Sequence, residues 1–576
     1  MSHGKRRIDR RTLLKSGIAA GGVLVGGTRS GVLAQSALGS AKPPGPPRTR
    51  SPNILVILVD QLRSPQWFQT LPAAAALMPN LARVRSGAVS FARHYAASND
   101  CTPARSTLVT GLYSHQTGCL VTGGSTLAPA FPTYGTLLRA HGYTTAWFGK
   151  WHLTHRDNVW TEARDGHALE PYGFDGGTYP SPDGGPGQGW RVDPMIAAQF
   201  KGRYAKAPAN QPWCATVSLV NPHDIAWWYQ WSSQVAAERS APSVVRALPG
   251  NFETPAQLKA RRKPLLQLSL QETAASGFGA VPFTGAGAVR SWLPFMDLYL
   301  KLAGQVDRQI GTVMATLASR PGLAANTVVV FTSDHGEYGA SHGLRGKGAG
   351  VYEEAIRVPL IVKDPSGRST RAPTVERYGL TSSVDVAPLL LTLATGANAW
   401  RSDPLFAHIA GRHDLAPMLA NPTAPGRAFV LHATDEIVSE FAIEPYAYNA
   451  PLHVTAVRTP AAKYAIYSNW KPHTNTVETA GQERELYDYG TRSGTLELDN
   501  GAGSSRLEHG LDAQLASAVA NELREPLPSR LRAAQNDGYA DFYTTAQGAA
   551  LAAAAMRRKI EETEPHSKAS ESLGAQ

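Results

Sequence analysis

The sequence predicts an α/β fold with a large, mostly parallel mixed sheet flanked by helices, followed by a smaller C-terminal α+β domain with an antiparallel sheet. Two observations lead to this prediction. Continuously apolar, β-branched runs, which are typical of strands buried on both faces, alternate with helix-like segments through most of the chain. Nearer the C-terminus, short strand-like pieces follow one another between turns. A chain of 576 residues suits one large core with an appendage.

Four apolar runs in the first part of the chain each end in polar residues. The runs are 53–59, 144–148, 215–220 and 327–331, and they end in Asp60-Gln61, Gly149-Lys150-Trp151-His152, Asn221-Pro222-His223-Asp224 and Ser333-Asp334-His335-Gly336-Glu337. Helices are predicted between them, including 134–141 and 293–317. Ligands bind at the carboxyl ends of the strands in such sheets, so we expect these acids, imidazoles and the lysine to share one edge.

The small antiparallel sheet is predicted from pieces over 428–432, 453–457 and 463–467, followed by Glu485-Leu486-Tyr487-Asp488. The chain is then divided into five predicted segments. They are a signal peptide over 1–34, a Pro-rich linker over 35–51, an α/β domain over 52–424, an antiparallel-sheet domain over 425–548, and a tail over 549–576 that passes from helical to disordered.

The N-terminal segment resembles a twin-arginine export signal. Arg10-Arg11 stands before a weakly apolar stretch over 18–27, and Val32-Leu33-Ala34 is typical of a cleavage site. The resemblance implies an exported protein, periplasmic or extracellular, with the twin-arginine machinery as a partner. A permanent membrane anchor is the alternative, although the apolar stretch is short for a bilayer.

The formal charge of +11 is concentrated at the N-terminus, where residues 1–34 carry +6 and leave +5 for the rest of the chain. This excess fits the attraction of small anionic substrates at least as well as a nucleic-acid surface, and no basic run is interleaved with aromatics. We therefore expect no nucleic-acid partner. The three cysteines, Cys101, Cys119 and Cys214, are too few for a disulfide framework, and whether the last two pair stays open.

Cys101 opens the run Cys101-Thr102-Pro103-Ala104-Arg105, with Thr110-Gly111 at a fixed distance behind it. Pro103 suits the first helical position, so a helix is predicted from the cysteine to Gly111. A nucleophile at Cys101 would lie at the positive end of this helix, and Arg105 would add a fixed charge. The alternative is a buried structural cysteine.

This Cys-x-Pro-x-Arg segment resembles the signature of the formylglycine-dependent sulfatases, in the alkaline phosphatase superfamily, and the resemblance covers roughly residues 52–500. It implies that a formylglycine-generating maturation enzyme oxidises Cys101, and that the hydrated aldehyde is the nucleophile. Asn99 and Asp100, which precede the cysteine, differ from the small residues usual in the family.

The resemblance assigns a metal site to Asp60, Gln61, Asp334 and His335, together with the modified Cys101. Carboxylates suit Ca²⁺ or Mg²⁺, and the imidazole would also suit Mn²⁺. Sulfatases often carry Asp-Asp and Asp-Asn at these two places, whereas substitutions such as those found here occur in choline-sulfatase-like and phosphonate monoester hydrolase-like branches. One divalent cation is therefore expected, with Ca²⁺ as the first choice and Mn²⁺ as the alternative.

The resemblance also supplies four catalytic candidates outside the cysteine motif. Lys150 and His152 match a Gly-Lys-Trp-His element, His223 matches a Pro-His element, and Lys347 lies in the stretch that supplies a substrate-binding lysine. Lys150, His223 and Lys347 are expected to bind the substrate, with the lysines acting as point charges on the sulfuryl group. His223 is the expected acid for the leaving oxygen, and His152 is the expected base that restores the aldehyde.

Together these features predict an exported hydrolase of sulfate esters that acts on a small anionic substrate. A phosphonate monoester or phosphodiester hydrolase with the same nucleophile is the alternative. A non-catalytic binding protein on the same scaffold is a third hypothesis from another class.

Several aromatic and imidazole groups match no motif. The aromatic cluster either walls a pocket for an aryl, sugar or quaternary ammonium group or packs beneath a loop, and it consists of Trp227, Trp228, Tyr229 and Trp231. His94, His115 and His155 are predicted to be structural or solvated. The role of His342 stays open: it lies near Lys347 in the sequence and could reach the leaving group.

Overall fold

The computed structural model describes residues 51–64, 76–154, 167–178, 181–228, 244–348, 350–437, 446–471, 474, 476–503 and 505–542. All of them belong to one compact unit, Pro47–Gln576. The predicted signal peptide and tail, and all but the last residue of the predicted linker, lie outside the described residues, as do His155, Tyr229 and Trp231. Within the described part of the chain, no helix is both long and apolar enough to cross a membrane.

Twelve strands and fifteen α-helices lie in the described residues. The strands are β1 Asn53–Val59, β2 Val89–Tyr95, β3 Thr144–Gly149, β4 Asp175–Gly176, β5 Trp213–Leu219, β6 Thr327–Ser333, β7 Arg357–Lys363, β8 Thr381–Ser382, β9 Val430–Thr434, β10 His453–Arg458, β11 Ala462–Trp470 and β12 Val477–Asp488. The helices are α1 Pro79–Arg85, α2 Cys101–Thr110, α3 Ser114–Thr117, α4 Tyr134–Arg139, α5 Gln188–Ala205, α6 Pro255–Ala260, α7 Leu265–Phe278, α8 Gly285–Ala318, α9 Pro321–Ala324, α10 Glu353–Ile356, α11 Val386–Thr395, α12 Ala416–Ala420, α13 Arg492–Thr495, α14 Arg506–Ala518 and α15 Ser529–Phe542.

Eight of these strands form one mixed sheet in the order β4-β3-β5-β1-β6-β7-β2-β8. The first five strands in that order are parallel neighbours, and β7 runs antiparallel to both β6 and β2. Every residue of β1, β5 and β6 is buried, which explains their unbroken apolar sequences. The predicted fold class is confirmed.

Helices cover both faces of the large sheet. The even-numbered apolar residues of β1 face a core that includes Leu108 of α2 and Leu390 of α11. The odd-numbered residues of β1 face a second core that includes Phe200 of α5 and Ile310 of α8. Because successive side chains of a strand point to opposite faces, one continuous apolar run supplies both cores.

The predicted helix at the cysteine is present as α2, and Gly111 ends it in the left-handed conformation at φ 71°. Proline is expected at the first position of a helix. Here Asp100 precedes the first turn, so Pro103 is the third residue of the helix. Proline is tolerated there because the N–H groups of the first turn have no intrahelical acceptor. Helix α8 starts at Gly285, earlier than the predicted residue 293, and Pro294 lies inside it.

The strands β9 to β12 form a separate antiparallel sheet in the order β12-β11-β10-β9. The predicted strands are confirmed, and Glu485-Leu486-Tyr487-Asp488 forms the end of β12. This strand starts at Val477 and pairs with β11 on both sides of an irregularity at residues 467–469. The predicted boundary between residues 424 and 425 falls between α12 and β9. The domain boundaries themselves stay predictions.

Candidate active site

The four polar clusters lie together at the carboxyl edge of the parallel strands. Strands β3, β5, β1 and β6 are adjacent in the sheet, and Val59 at the end of β1 lies opposite Leu219 and Ser333. Parallel neighbours that end at the same level bring the residues that follow them into one place. The N-terminus of α2 opens onto the same edge, with Cys101 as its first residue.

The sulfur of Cys101 lies among cationic groups. It is 2.9 Å from Nζ of Lys347, 3.3 Å from Nζ of Lys150 and 3.4 Å from Nε2 of His335. Burial alone would raise the pKa of this fully buried thiol, but the two lysines and the histidine outweigh it and hold the pKa well below its usual range. The site therefore stabilises negative charge on the side chain at position 101.

Two buried carboxylates lie beside the cysteine and are held by Arg105. Its Nη2 atom is 3.0 Å from Asp60 and its Nε atom is 2.8 Å from Asp334, while Nη1 donates to the backbone carbonyl of Lys150. Nζ of Lys150 lies 2.6 Å from Asp60. Burial would raise the pKa of Asp60, but the neighbouring lysines and His223 lower it below its usual range. Arg105 thus joins the ends of β1, β3 and β6 to α2.

The donor atoms of the predicted metal ligands converge. Ligand atoms of Asp60, Cys101, Asp334 and His335 all lie within 4.8 Å of one another. The backbone N–H groups of Gln61 and His335 both donate to Oδ1 of Asp334, at 3.1 and 2.9 Å, and orient that carboxylate. Carboxylate oxygens with one imidazole nitrogen fit a hard to borderline divalent cation.

His335 presents a defined nitrogen to this cluster. Its Nδ1 atom lies 3.0 Å from the backbone carbonyl of Gly336, so Nδ1–H donates there and Nε2 faces the site. Burial would lower the pKa of His335, but Asp334 outweighs it, and the pKa without a cation is about 9. A cation bound at Nε2 would have to replace that proton.

Gln61 is oriented by Glu337, for which the sequence predicts no role. Its amide Nε2 donates to Glu337 at 2.5 Å, which leaves Oε1 facing Nζ of Lys347 at 3.2 Å. Glu337 also accepts from the backbone N–H groups of Gly339 and Gly346. Glu337 belongs to the polar run after β6, but nothing in the sequence shows its pairing with Gln61.

Backbone strain is concentrated around the same centre. Gln61, Asp100 and His152 have positive φ values of 63°, 62° and 55°, although none of them is a glycine. Such conformations persist only where surrounding contacts hold them, and they cluster at functional sites. The carbonyl of His152 accepts from Oγ1 of Thr102 at 2.9 Å, and its side chain hydrogen-bonds to Cys101.

His223 is buried beside Asp60 and lies under a close-packed glycine. A Cβ atom on Gly184 would lie only 2.4 Å from Cε1 of His223, and the indole of Trp227 donates to the Gly184 carbonyl at 2.7 Å. The imidazole is therefore confined between the residues after β5 and the segment before α5.

The two described residues of the aromatic cluster after His223 are mainly core residues. Trp227 and Trp228 are both buried, and the ring of Trp228 lies 4.8 Å from that of Phe295. Trp228 also lines a small cavity with Arg345 and Lys347. Packing thus accounts for these two tryptophans, and one of them also borders the site through that cavity.

The remaining residues without an assigned role are all buried. His342 is buried, with Nδ1 2.6 Å from Glu253 and its ring stacked at 3.6 Å on Tyr352, which gives it a structural role. His94 is buried and bonds to Thr381. Two further cysteines, at positions 119 and 214, are buried free thiols.

More than half of the chain matches a known protein family. The family model for Sulfatase matches residues 52–397. Choline-sulfatase from Rhizobium meliloti (strain 1021) is 28% identical over 381 residues, which cover 60% of this chain and 68% of the relative.

Two solved structures show a similar fold. BT4656 in complex with its substrate D-glucosamine-2-N,6-O-disulfate matches with a TM-score of 0.60 and 20% identity, over 83% of this chain and 99% of that chain. The phosphonate monoester hydrolase SpPMH from Silicibacter pomeroyi matches with a TM-score of 0.60 and 21% identity, over 83% and 96% of the two chains. Both likenesses concern the fold.

Proposed function

The chain belongs to the sulfatase family and is a sulfuric ester hydrolase, and we propose that its nucleophile is a formylglycine made from Cys101. The observation that carries the proposal is the position of Cys101. Its side chain is the first of helix α2 and lies within 3.3 Å of the ammonium groups of both Lys150 and Lys347. An anionic nucleophile and an anionic ester are both stabilised at such a place.

We further propose that one divalent cation, Ca²⁺ first and Mn²⁺ as the alternative, belongs to this centre. Asp60, Gln61, Asp334, His335 and residue 101 would hold it, and their oxygen-rich donor set supports the assignment. When bound, the cation would supply Lewis-acid polarisation of the ester oxygens.

The chain's own residues divide the remaining work. Lys150 and Lys347 hold the sulfuryl oxygens and stabilise the charge that develops on them, and Arg105 keeps the two carboxylates in place. His223 donates a proton to the leaving oxygen. A hydroxyl of the hydrated aldehyde bonds to sulfur as the S–O bond to that leaving oxygen breaks, which gives a sulfated hemiacetal. His152 then takes the proton of the remaining hydroxyl, and the C–O bond to the sulfate group breaks, so that sulfate departs and the aldehyde returns without attack by water on sulfur.

We also propose a catalytic domain over 52–424 followed by an antiparallel-sheet domain over 425–548, because the small sheet begins with β9, after α12. We propose that the signal over 1–34 directs export to the periplasm or the exterior. The partners would be a formylglycine-generating enzyme, the twin-arginine machinery and a small anionic ester.

Mass spectrometry of the peptide containing residue 101 tests the nucleophile. In protein produced together with a maturation enzyme, we expect an aldehyde at this position that a hydrazide reagent captures, and we expect Cys101→Ala to abolish turnover of aryl sulfates. Cys119→Ala, which removes a buried thiol outside the site, should retain turnover. Unmodified cysteine in active protein would contradict the proposal.

The preferred ester is tested separately, because Asp60-Gln61 and Asp334-His335 also suit the phosphonate alternative. Values of kcat/KM for an aryl sulfate and an aryl phosphonate monoester should differ by a hundredfold or more in favour of the sulfate, equivalent to about 2.7 kcal/mol of transition-state stabilisation. The opposite preference would reassign the ester and leave the nucleophile unaffected.

A further inference from the structure

A second group of metal-ligating side chains lies apart from the catalytic residues. Nε2 of His115 is 2.7 Å from Oδ2 of Asp435, and Nδ1 of His453 is 2.8 Å from Oδ1 of the same carboxylate. We call these three residues the His-Asp-His cluster. Their ligand atoms lie within 4.8 Å of one another, and no more than 3% of any of the three residues is exposed.

The His-Asp-His cluster joins three elements that are distant in sequence. His115 belongs to α3, which directly follows the catalytic helix α2, whereas Asp435 follows β9 and His453 is the first residue of β10. The cluster therefore stands where the large domain meets the small antiparallel sheet, and nothing in the mechanism uses it.

The hydrogen bonding of the cluster is incomplete. Nδ1 of His115 is buried and has no hydrogen-bond partner among the described residues. Nε2 of His115 and Oδ2 of Asp435 are buried as well and, although they are 2.7 Å apart, they are not aligned as a hydrogen bond. Buried polar atoms are almost always satisfied, so such atoms facing each other call for an explanation. A cation coordinated by both Nε2 and Oδ2 would satisfy these two atoms.

We propose that the His-Asp-His cluster is a second, structural metal site that binds a borderline divalent cation, Zn²⁺ first. Two imidazole nitrogens and a carboxylate are a donor set for zinc and differ from the oxygen-rich set around Cys101. The indole of Trp470 donates to Oδ1 of Asp435 at 2.7 Å and orients the carboxylate, as outer partners of metal ligands do. The cation ties α3 to the ends of β9 and β10.

Metal titration of the full-length protein tests the site without relying on activity. Chelator-stripped protein carrying Asp334→Ala, which weakens the catalytic metal site, should still bind one equivalent of Zn²⁺. With Co²⁺ it should show the visible d–d absorption of a site with nitrogen and oxygen ligands. Added Zn²⁺ should raise its melting temperature.

Variants of the cluster complete the test. His115→Ala in the same background should abolish stoichiometric Zn²⁺ binding and the Co²⁺ spectrum, whereas His94→Gln, at a buried histidine elsewhere, should retain both. Failure of the Asp334→Ala protein to take up Zn²⁺, or equal uptake after His115→Ala, would show an ion-pair network only and overturn the proposal. The first of these outcomes needs no change in the cluster, so misfolding of His115→Ala cannot obscure it.

Discussion

Gln61 has an amide where a carboxylate would be an equally suitable oxygen ligand, and an amide can turn either of two atoms toward a cation. Only its oxygen can coordinate. The carboxylate of Glu337 accepts from Nε2 and therefore selects the orientation in which Oε1 faces the centre. The same carboxylate holds the backbone of Gly339 and Gly346, just before Lys347.

Glu337→Gln should weaken metal binding by roughly 10- to 100-fold, because its amide can donate to Gln61 and favour the reversed orientation. Calorimetric metal titration measures the loss, and kcat/KM should fall with it. A double-mutant cycle provides the control: in a Gln61→Ala background, Glu337→Gln should cost little more. Equal losses in both backgrounds would mean that Glu337 acts only by holding the backbone of Gly339 and Gly346.

At the level of residues, the sequence predicts which side chains belong to the site better than it predicts their hydrogen-bond partners. Asp60, Lys150, Asp334 and His335 each follow a buried strand, and parallel strand geometry alone brings them together. Gln61 and Glu337, which are in contact, are 276 positions apart in the sequence. The small cavity lined by Trp228 and Lys347 depends on how loops pack. Such contacts depend on tertiary structure and leave no local pattern.

At the level of elements, strand β3 approaches β5 unusually closely where both end. A Cβ on Gly149 would lie 1.9 Å from the carbonyl oxygen of Ser218, and that oxygen accepts from the backbone N–H of Lys150. The absence of a side chain at Gly149 therefore determines where Lys150 is held relative to the end of β5.

Gly149→Ala should lower the free energy of unfolding by roughly 2–4 kcal/mol, through backbone strain at φ 94° and overpacking. It should also reduce kcat/KM at least ~10-fold by moving Lys150. Gly142→Ala is the control, since it has a similar φ of 81° with nothing within 4 Å, and we expect a loss of roughly 1 kcal/mol with normal kinetics. Urea denaturation and steady-state kinetics measure both effects, and equal behaviour of the two variants would contradict the close-approach argument.

Elements buried on both faces are predicted best, because short, continuously apolar runs rich in β-branched residues, such as β1 and β6, favour buried strands. The ends of other elements are less well predicted. Helix α8 begins at Gly285 and not at the predicted residue 293, because the helix accommodates Pro294 in its interior.

At the level of the whole molecule, the small sheet is joined to the large one by buried charges. Oε2 of Glu353 on α10 accepts from the hydroxyl of Tyr95 at 2.9 Å, and Oε1 lies 3.3 Å from Arg458 and 3.8 Å from Lys463. Burial would raise the pKa of Glu353, but the two cations lower it to about 2. The ionised carboxylate therefore stabilises the fold.

Glu353→Ala should lower the free energy of unfolding by roughly 3 kcal/mol at neutral pH, because it leaves buried cations with fewer partners. The deficit relative to the wild type should shrink as the pH falls from about 4.5 to about 2, where the wild-type carboxylate becomes protonated. Glu376→Ala, which breaks a partly exposed pair with Arg85, should cost no more than about 1 kcal/mol. A constant deficit across this pH range in urea denaturation would show that packing, and not charge, is lost.

The burial of Cys101 also constrains the order of events in the life of the chain. The side chain is fully buried beneath two lysines, so a maturation enzyme would have to oxidise it before folding is complete. A twin-arginine route, as the N-terminal resemblance implies, carries folded proteins. Oxidation, folding and metal loading would then all precede export.

Replacing Arg10 and Arg11 by lysine should therefore leave active, formylglycine-bearing enzyme inside the cell, because recognition of the signal fails only after the active site is complete. Fractionation, followed by activity assay and mass spectrometry of the residue 101 peptide, measures the outcome. The neighbouring pair Arg6 and Arg7 provides a matched control, since the same replacement there conserves charge outside the motif and should leave export unchanged. Normal export of the Arg10→Lys, Arg11→Lys variant would refute the twin-arginine route, and inactive, unmodified protein retained inside the cell would refute maturation before export.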